Sequence, residues 1–249
     1  MLAELKILNQ HGKQYIPDIR KAEVPAPFRG LPEITKSSKG ALLEGLCPVG
    51  AIDVSVQSID IGLCTFCGEC AHRAPEMIRF TNNHRMATND RNALIVTPRK
   101  AESIELNPGL VREEIQGVFG RSLKLRQVSA GGDNSAELEL GACGNVNFDI
   151  GRFGIEFVAS PRHADGVVIT GPISKNMSEA LAICYEAIAE PKLLILAGTD
   201  AISGGVFAGS PALDRSFLDA HKVDLYVPGN PPHPLTFING ILDLIQSKK

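Results

Sequence analysis

Three cysteines, Cys64, Cys67 and Cys70 in CTFCGECAHRAP (64–75), stand at consecutive x2 spacings. Thiolates spaced this way on one tight loop suit the corners of a compact iron-sulfur cubane. Structural zinc more often pairs one C-x2-C with a second. The full run C-x2-C-x2-C-x3-C-P calls for a fourth cysteine at position 74, where Ala74 stands. In chains that use this run twice, the fourth cysteine of each run binds the other run's cluster. The partner for Cys64, Cys67 and Cys70 should therefore be a distant Cys-Pro, and Cys47-Pro48 in LCPVGAI provides one. The expected cofactor is one 4Fe-4S cluster on Cys47, Cys64, Cys67 and Cys70. A structural zinc on the same four thiolates is the alternative, and a cluster that only holds the fold together is another.

Counting back from Cys47 by the same spacing reaches Leu43, Gly40 and Ser37. With Ala74 these are the four positions a second cluster would use. All four lack cysteine while the other four keep it, a division that random loss would rarely respect. The pattern reads as one site kept whole and one discarded whole. The remaining cysteines, Cys143 and Cys184, fall on helical segments and read as small core residues.

The surrounding elements divide the 249 residues into two unequal halves. Residues 1–34 read as an N-terminal arm, extended where EVPAPFRGLPEI restricts the backbone. Residues 35–100 hold the cysteines on segments too short to build a core from regular structure, a ferredoxin-like 4Fe-4S domain. Residues 101–120 read as a linker, from RKAESIELNP, followed by a helix with Leu110, Val111, Ile115, Val118 and Phe119 near helical spacing and a stop at Gly120. From 121 to 249 the pattern becomes strand-helix alternation. SLKLRQV, FGIEFVAS, DGVVITG, KLLILAG and VDLYVPG read as buried parallel strands. SKNMSEALAICYEAIAE carries a Met177, Leu181, Cys184, Ile188 stripe, with Asn176 and Glu179 placed as a capping box. NGILDLIQSKK reads as a closing helix with lysines at its end. The fold class is α/β: a small iron-sulfur domain followed by a doubly wound, flavodoxin-like parallel sheet, with sites at the carboxyl ends of its strands.

Composition narrows the function classes. Hydrophobic residues make up 44% and charged residues 21%, with no Trp, as in a globular chain. No basic patch is dense enough for nucleic acid. No apolar run approaches the ~20 residues needed to span a bilayer, and MLAELKILNQHGKQ has no signal-peptide hydrophobic segment. The expected location is cytoplasmic, free or docked.

FRGLPEI, CPVGAI and IDIGLCTFCGEC, then RFGIEFVASPRHADGVVITGPISKNMSEAL, SGGVFAGS and DLYVPGNPPHP, resemble a fusion of two electron-transfer subunits of energy-converting nickel-iron hydrogenases and formate hydrogenlyase. One is the ferredoxin-like subunit; the other is the small subunit similar to the complex I B subunit. The resemblance implies a proximal 4Fe-4S cluster in the second domain, on cysteines whose positions match Asp133, Ala136, Asp200 and Asn230 here. Glu137 matches the family's acidic residue. Carboxylate and amide oxygens are ill suited to an all-cysteine cubane site. The proximal cluster is therefore expected to be absent, with Asp133, Asp200 and Asn230 either binding a hard cation or hydrogen-bonding their loops together.

The resemblance implies a non-catalytic electron-transfer subunit, with no catalytic residue of its own. Its partners would be a hydrogenase-like or complex I-like large subunit and other electron-transfer subunits. Membrane association would be peripheral, on the cytoplasmic face, through those partners. A structural or assembly subunit is the alternative, and an independent enzyme using the vacated crevice is a third class. His163 and His233 are expected to flank that crevice. The Gly-rich SGGVFAG lacks the G-x-G-x-x-G spacing of a nucleotide loop.

Overall fold

The computed structural model describes residues 2–12, 14–38, 40–98, 103–120 and 122–246. Residues 99–102 of the expected linker, and the terminal lysines of the expected last helix, lie outside them. The first hundred residues form short elements: α1 (Leu2–His11), β1 (Pro32–Ile34), β2 (Ile52–Asp53), β3 (Ser58–Asp60), α2 (Glu69–Arg73), β4 (Ile78–Phe80) and β5 (Ile95–Val96). The helix α1 lies in the arm read from its prolines as extended; the restriction those prolines impose begins well after it. β1 pairs antiparallel with β4, placing Ile34 opposite Ile78, while β3 lies between β2 and β5. Strands of two or three residues bury little on their own. Ile59, Ile61, Met77, Met86 and Leu94 instead share one core with Val167, Ile169, Leu194 and Leu196 from the second half of the chain.

That second half contains α3 (Glu113–Val118), β6 (Leu123–Ser129), α4 (Ser135–Ala142), β7 (Ile155–Phe157), β8 (Gly166–Thr170), α5 (Lys175–Glu186), β9 (Leu193–Ala197), α6 (Thr199–Ser203), α7 (Ser216–Ala220), β10 (Leu225–Val227) and α8 (Pro234–Gln246). All five expected strands form. They make a parallel sheet in the order β10-β9-β8-β6-β7. Numbered by appearance within this half, the order is 2-1-3-4-5, that of flavodoxin-like doubly wound sheets. β8 and β9 are buried at every residue, which explains their unbroken apolar runs. Successive side chains point to opposite faces. Val167 and Ile169 meet the core shared with the N-terminal half, and Val168 meets Leu193, Ile195, Phe237 and Ile241 on the other face. An antiparallel bridge between Thr88 and Tyr226 joins the two halves at the sheet edge.

Two local expectations change. α5 starts after Ser174, so Asn176 sits inside the first turn and the capping box does not form. Backbone bonds from Ser174 to Ala130 and from Lys175 to Ala212 fix that earlier start. In α3, Ile115 and the flanking Val111 and Phe119 are buried, but Val118 faces solvent and Leu110 belongs to a preceding 3-10 turn. Among the described residues, no helix is long and apolar enough to cross a membrane.

Candidate functional site

The cysteine loop is bent into shape by its own backbone. The Asp60 carbonyl accepts the amides of Leu63 and Cys64 at 3.1 and 2.9 Å, and its carboxylate takes a two-pronged grip from Arg91 at 2.9 and 2.7 Å. Phe66 (φ 53°) and Gly68 (φ 82°) then reverse the chain twice in left-handed conformations. Gly68 carries this without a side-chain penalty, and Cys70 enters the first turn of α2. Cys47 arrives from the separate loop before β2. All four cysteines line one small pocket, together with apolar groups such as Ile52, Ile59 and Phe80.

Cys64 and Cys70 are buried, Cys47 is half-buried and Cys67 is exposed. Burial pushes the Cys64 thiol up to about 12 and the Cys70 thiol up to about 11, and neighbouring cysteines push each further in the same direction. Backbone amides point at the sulfurs: Phe66 N–H donates to Cys64 Sγ at 3.2 Å, and Ala51 N–H to Cys47 Sγ at 3.3 Å. These groups suit thiolates held by a compact cationic core, which would offset the desolvation. Among the described residues, no three or more His, Cys, Asp or Glu side chains converge as one metal ion would require.

The positions paired by spacing as a second site are filled by protein. Leu43 and Ala74 are packed into the core. The Gln57 side chain brackets Ser37, accepting from its amide at 3.1 Å and donating to its carbonyl at 2.6 Å. A Cβ added to Gly40 would lie 3.5 Å from the same Gln57 amide nitrogen. Sequence reasoning misses Gln57, because nothing in its spacing marks a residue that plugs a gap.

At the carboxyl ends of the sheet, Asp133, Ala136, Glu137, Asp200 and Asn230 border a second small pocket. The two pockets, about 20 and 10 Å³, differ in lining rather than size: thiols in one, carboxylates and amides in the other. The loops meet closely at the switch point between β6 and β8. A Cβ on Gly171 (φ +80°) would lie 2.5 Å from the Gly132 nitrogen. Asp133 accepts from the hydroxyl and amide of Ser135, at 2.6 and 2.9 Å, which hold its carboxyl below the usual range. Burial raises the carboxyl of half-buried Asp200, and Asp133 and Glu137 raise it further. Glu137 ties two strand ends together, accepting from Ser129 Oγ at 2.6 Å and Thr170 Oγ1 at 2.7 Å. Glu137→Ala is therefore expected to lower stability by about 1–2 kcal/mol, and Glu137→Gln, which keeps an acceptor, by much less. Urea unfolding would compare them.

The two histidines separate. His233 sits at this end, half-buried between Phe28 and Phe148, its Nδ1 accepting the Leu235 amide at 3.1 Å at the start of α8. Burial lowers its pKa, so it acts as a neutral helix-end acceptor. His163 stands exposed in the turn leading into the amino end of β8, away from the strand-end crevice, because short β7 ends level with the start of β8, Phe157 and Gly166 both pairing with Leu125. Cys143 is buried at the end of α4, donating to the Glu139 carbonyl at 3.4 Å, and Cys184 is half-buried on α5.

The strand order and the polar crevice at the switch point define a doubly wound α/β protein of the flavodoxin-like kind. Residues 134–244 match the family described as NADH ubiquinone oxidoreductase, 20 Kd subunit. The chain is 35% identical over 124 residues to a probable membrane-bound hydrogenase subunit, mbhJ, of Pyrococcus furiosus, covering 50% of this chain and 74% of the relative. It is 42% identical over 107 residues to the B subunit of the NADH-quinone oxidoreductase of Geotalea daltonii, covering 43% of this chain and 62% of that one. A solved structure of a membrane-bound sulfane sulfur reductase, an archaeal respiratory membrane complex, contains a chain that aligns at 27% identity with a TM-score of 0.46, covering 54% of this chain and 75% of that one. The chain belongs to the NADH ubiquinone oxidoreductase 20 Kd subunit family.

Proposed function

We propose that this chain is an electron-transfer subunit of a hydrogenase-related or complex I-like respiratory complex. It carries a single 4Fe-4S cluster on Cys47, Cys64, Cys67 and Cys70. The observation that carries this reading is that those four cysteines, from two separate loops, line one apolar pocket. The relatives, named as hydrogenase and NADH-quinone oxidoreductase subunits, support the setting. Residues 35–100 then form the ferredoxin-like domain and 121–249 the B-subunit-like domain, with 1–34 an arm and 101–120 the connection.

A bound cluster would supply a one-electron carrier. The chain's own residues do the rest. The thiols of Cys47, Cys64, Cys67 and Cys70 hold it, the amides of Phe66 and Ala51 stabilise charge on sulfur, and apolar neighbours limit water. Exposed Cys67 brings one corner to the surface, where a partner can approach. The crevice would carry no cluster, because its donors are carboxylates and an amide and its Glu137 already binds two hydroxyls. Leu138 and the pair Val206–Phe207, which follow the crevice residues Glu137 and Asp200 closely in the chain, are exposed apolar groups of the kind a large subunit could cover. Location on the cytoplasmic face of a membrane would follow from that partner.

The poverty of regular structure in residues 35–100 favours a second reading, in which the cluster only stabilises the domain. Freeze-quenched samples of the intact complex during turnover separate the two. The electron-transfer reading expects the cluster to be reduced by donor and reoxidised by acceptor within a turnover. A cluster that keeps one oxidation state throughout would leave the structural reading standing.

A further inference from the structure

The crevice and the cysteine loop share one element, α6. Its first residue, Thr199, is fully buried, and its hydroxyl lies 2.8 Å from the carbonyl of Cys64 and 3.2 Å from that of Gly229. A hydroxyl has one hydrogen to donate. The Gly229 carbonyl already accepts the Thr199 backbone amide at 2.9 Å, whereas no other donor to the Cys64 carbonyl is found among the described residues. The hydroxyl hydrogen therefore belongs to Cys64. One turn on, Ile202 lies against the same loop: a Cβ added to Gly62 would be 3.0 Å from its side chain. Thr199 and Ile202 thus present one helical face to the cysteine loop, while the intervening Asp200 borders the crevice.

We infer that Thr199 is a positioning residue for the cluster, fixing the Cys64 peptide and setting the cluster's reduction potential from the crevice side. The inference rests on the cluster assignment made above. The hydroxyl directs the positive end of its dipole toward a peptide that carries a thiolate ligand, which favours the reduced, more negative cluster. Without it, the Cys64 carbonyl would be buried with no donor.

The test is a redox titration of the anaerobically reconstituted full chain and of Thr199→Val and Thr199→Ser, with iron content and thermal midpoint measured on each. Thr199→Val keeps the shape and removes the donor; Thr199→Ser keeps the donor. The expected result is a more negative potential in Thr199→Val at wild-type iron content, with the wild-type potential restored in Thr199→Ser. Failure of Thr199→Val to load iron, with normal loading of Thr199→Ser and an unchanged thermal midpoint of the apo chains, would equally support a hydroxyl that places the ligand. A wild-type potential in Thr199→Val, or a shifted one in Thr199→Ser, would overturn the inference. A wild-type chain that takes up no iron or sulfide would instead overturn the cluster assignment, and this inference with it.

Discussion

Serine in place of Cys64 is expected to take the anaerobically purified chain from about four irons per molecule to fewer than one. Cys64 is held at three atoms: its amide bonds to Asp60, its carbonyl to Thr199 and its sulfur to the Phe66 amide. The loop around it therefore stays placed when the sulfur is replaced, so the loss reports ligation rather than misplacement. A serine oxygen is a poor substitute for thiolate in an all-sulfur site. Loss of a ligand that binds only the folded form also removes its stabilisation, so the thermal midpoint should fall with the iron. Cys143→Ser is the control. That thiol is buried, pushed up to about 12 by desolvation, and contacts Glu139 rather than other cysteines. It should leave iron and sulfide unchanged. Full iron in Cys64→Ser would place the ligands elsewhere.

The second large effect concerns stability. Arg112→Leu is expected to cost about 3–5 kcal/mol, because it strips a buried carboxylate of its counter-ion. Arg112 sits at the start of α3, and its guanidinium meets Asp224 with two contacts of 2.9 Å while also donating to the Lys192 carbonyl. The Asp224 side chain is only 3% exposed and accepts the Leu194 amide as well. Burial raises the Asp224 carboxyl despite these bonds, and losing Arg112 raises it further. A carboxyl whose folded pKa exceeds its unfolded value costs stability above the folded pKa, and the cost is relieved as pH falls through it. The Arg112→Leu deficit should therefore be larger at pH 8 than at pH 5. Urea unfolding at both values checks the magnitude and the sign. A pH-independent deficit would assign the loss to packing of the arginine stem.

What the sequence shows clearly is whatever local pattern alone decides. The five parallel strands are legible because burial on both faces demands continuous apolar runs, as in DGVVITG and KLLILAG. That the four cysteines line one pocket is legible from spacing: three share a loop, and the Cys-Pro rule points to Cys47 on another. The misses involve contacts between distant segments. The start of α5 is set by backbone bonds to Ala130 and Ala212, which override the Asn176 and Glu179 pattern. His163 lies near a strand in sequence, which suggests the crevice, but it stands at the wrong end of that strand. Gln57, filling the space beside Ser37 and Gly40, and Thr199, holding Cys64 across 135 residues, have no local signature. Such residues are selected by the cavity they meet, and the cavity exists only after folding.

One cluster is expected on Cys47, Cys64, Cys67 and Cys70 and none in the crevice of Asp133, Asp200 and Asn230. Iron, acid-labile sulfide and zinc should be counted on the chain co-purified anaerobically with its partner subunits and then separated from them without oxygen. The account predicts about four irons and four sulfides per chain and no zinc. About eight of each, which would put a second cluster on this chain, or zinc without sulfide, would contradict it.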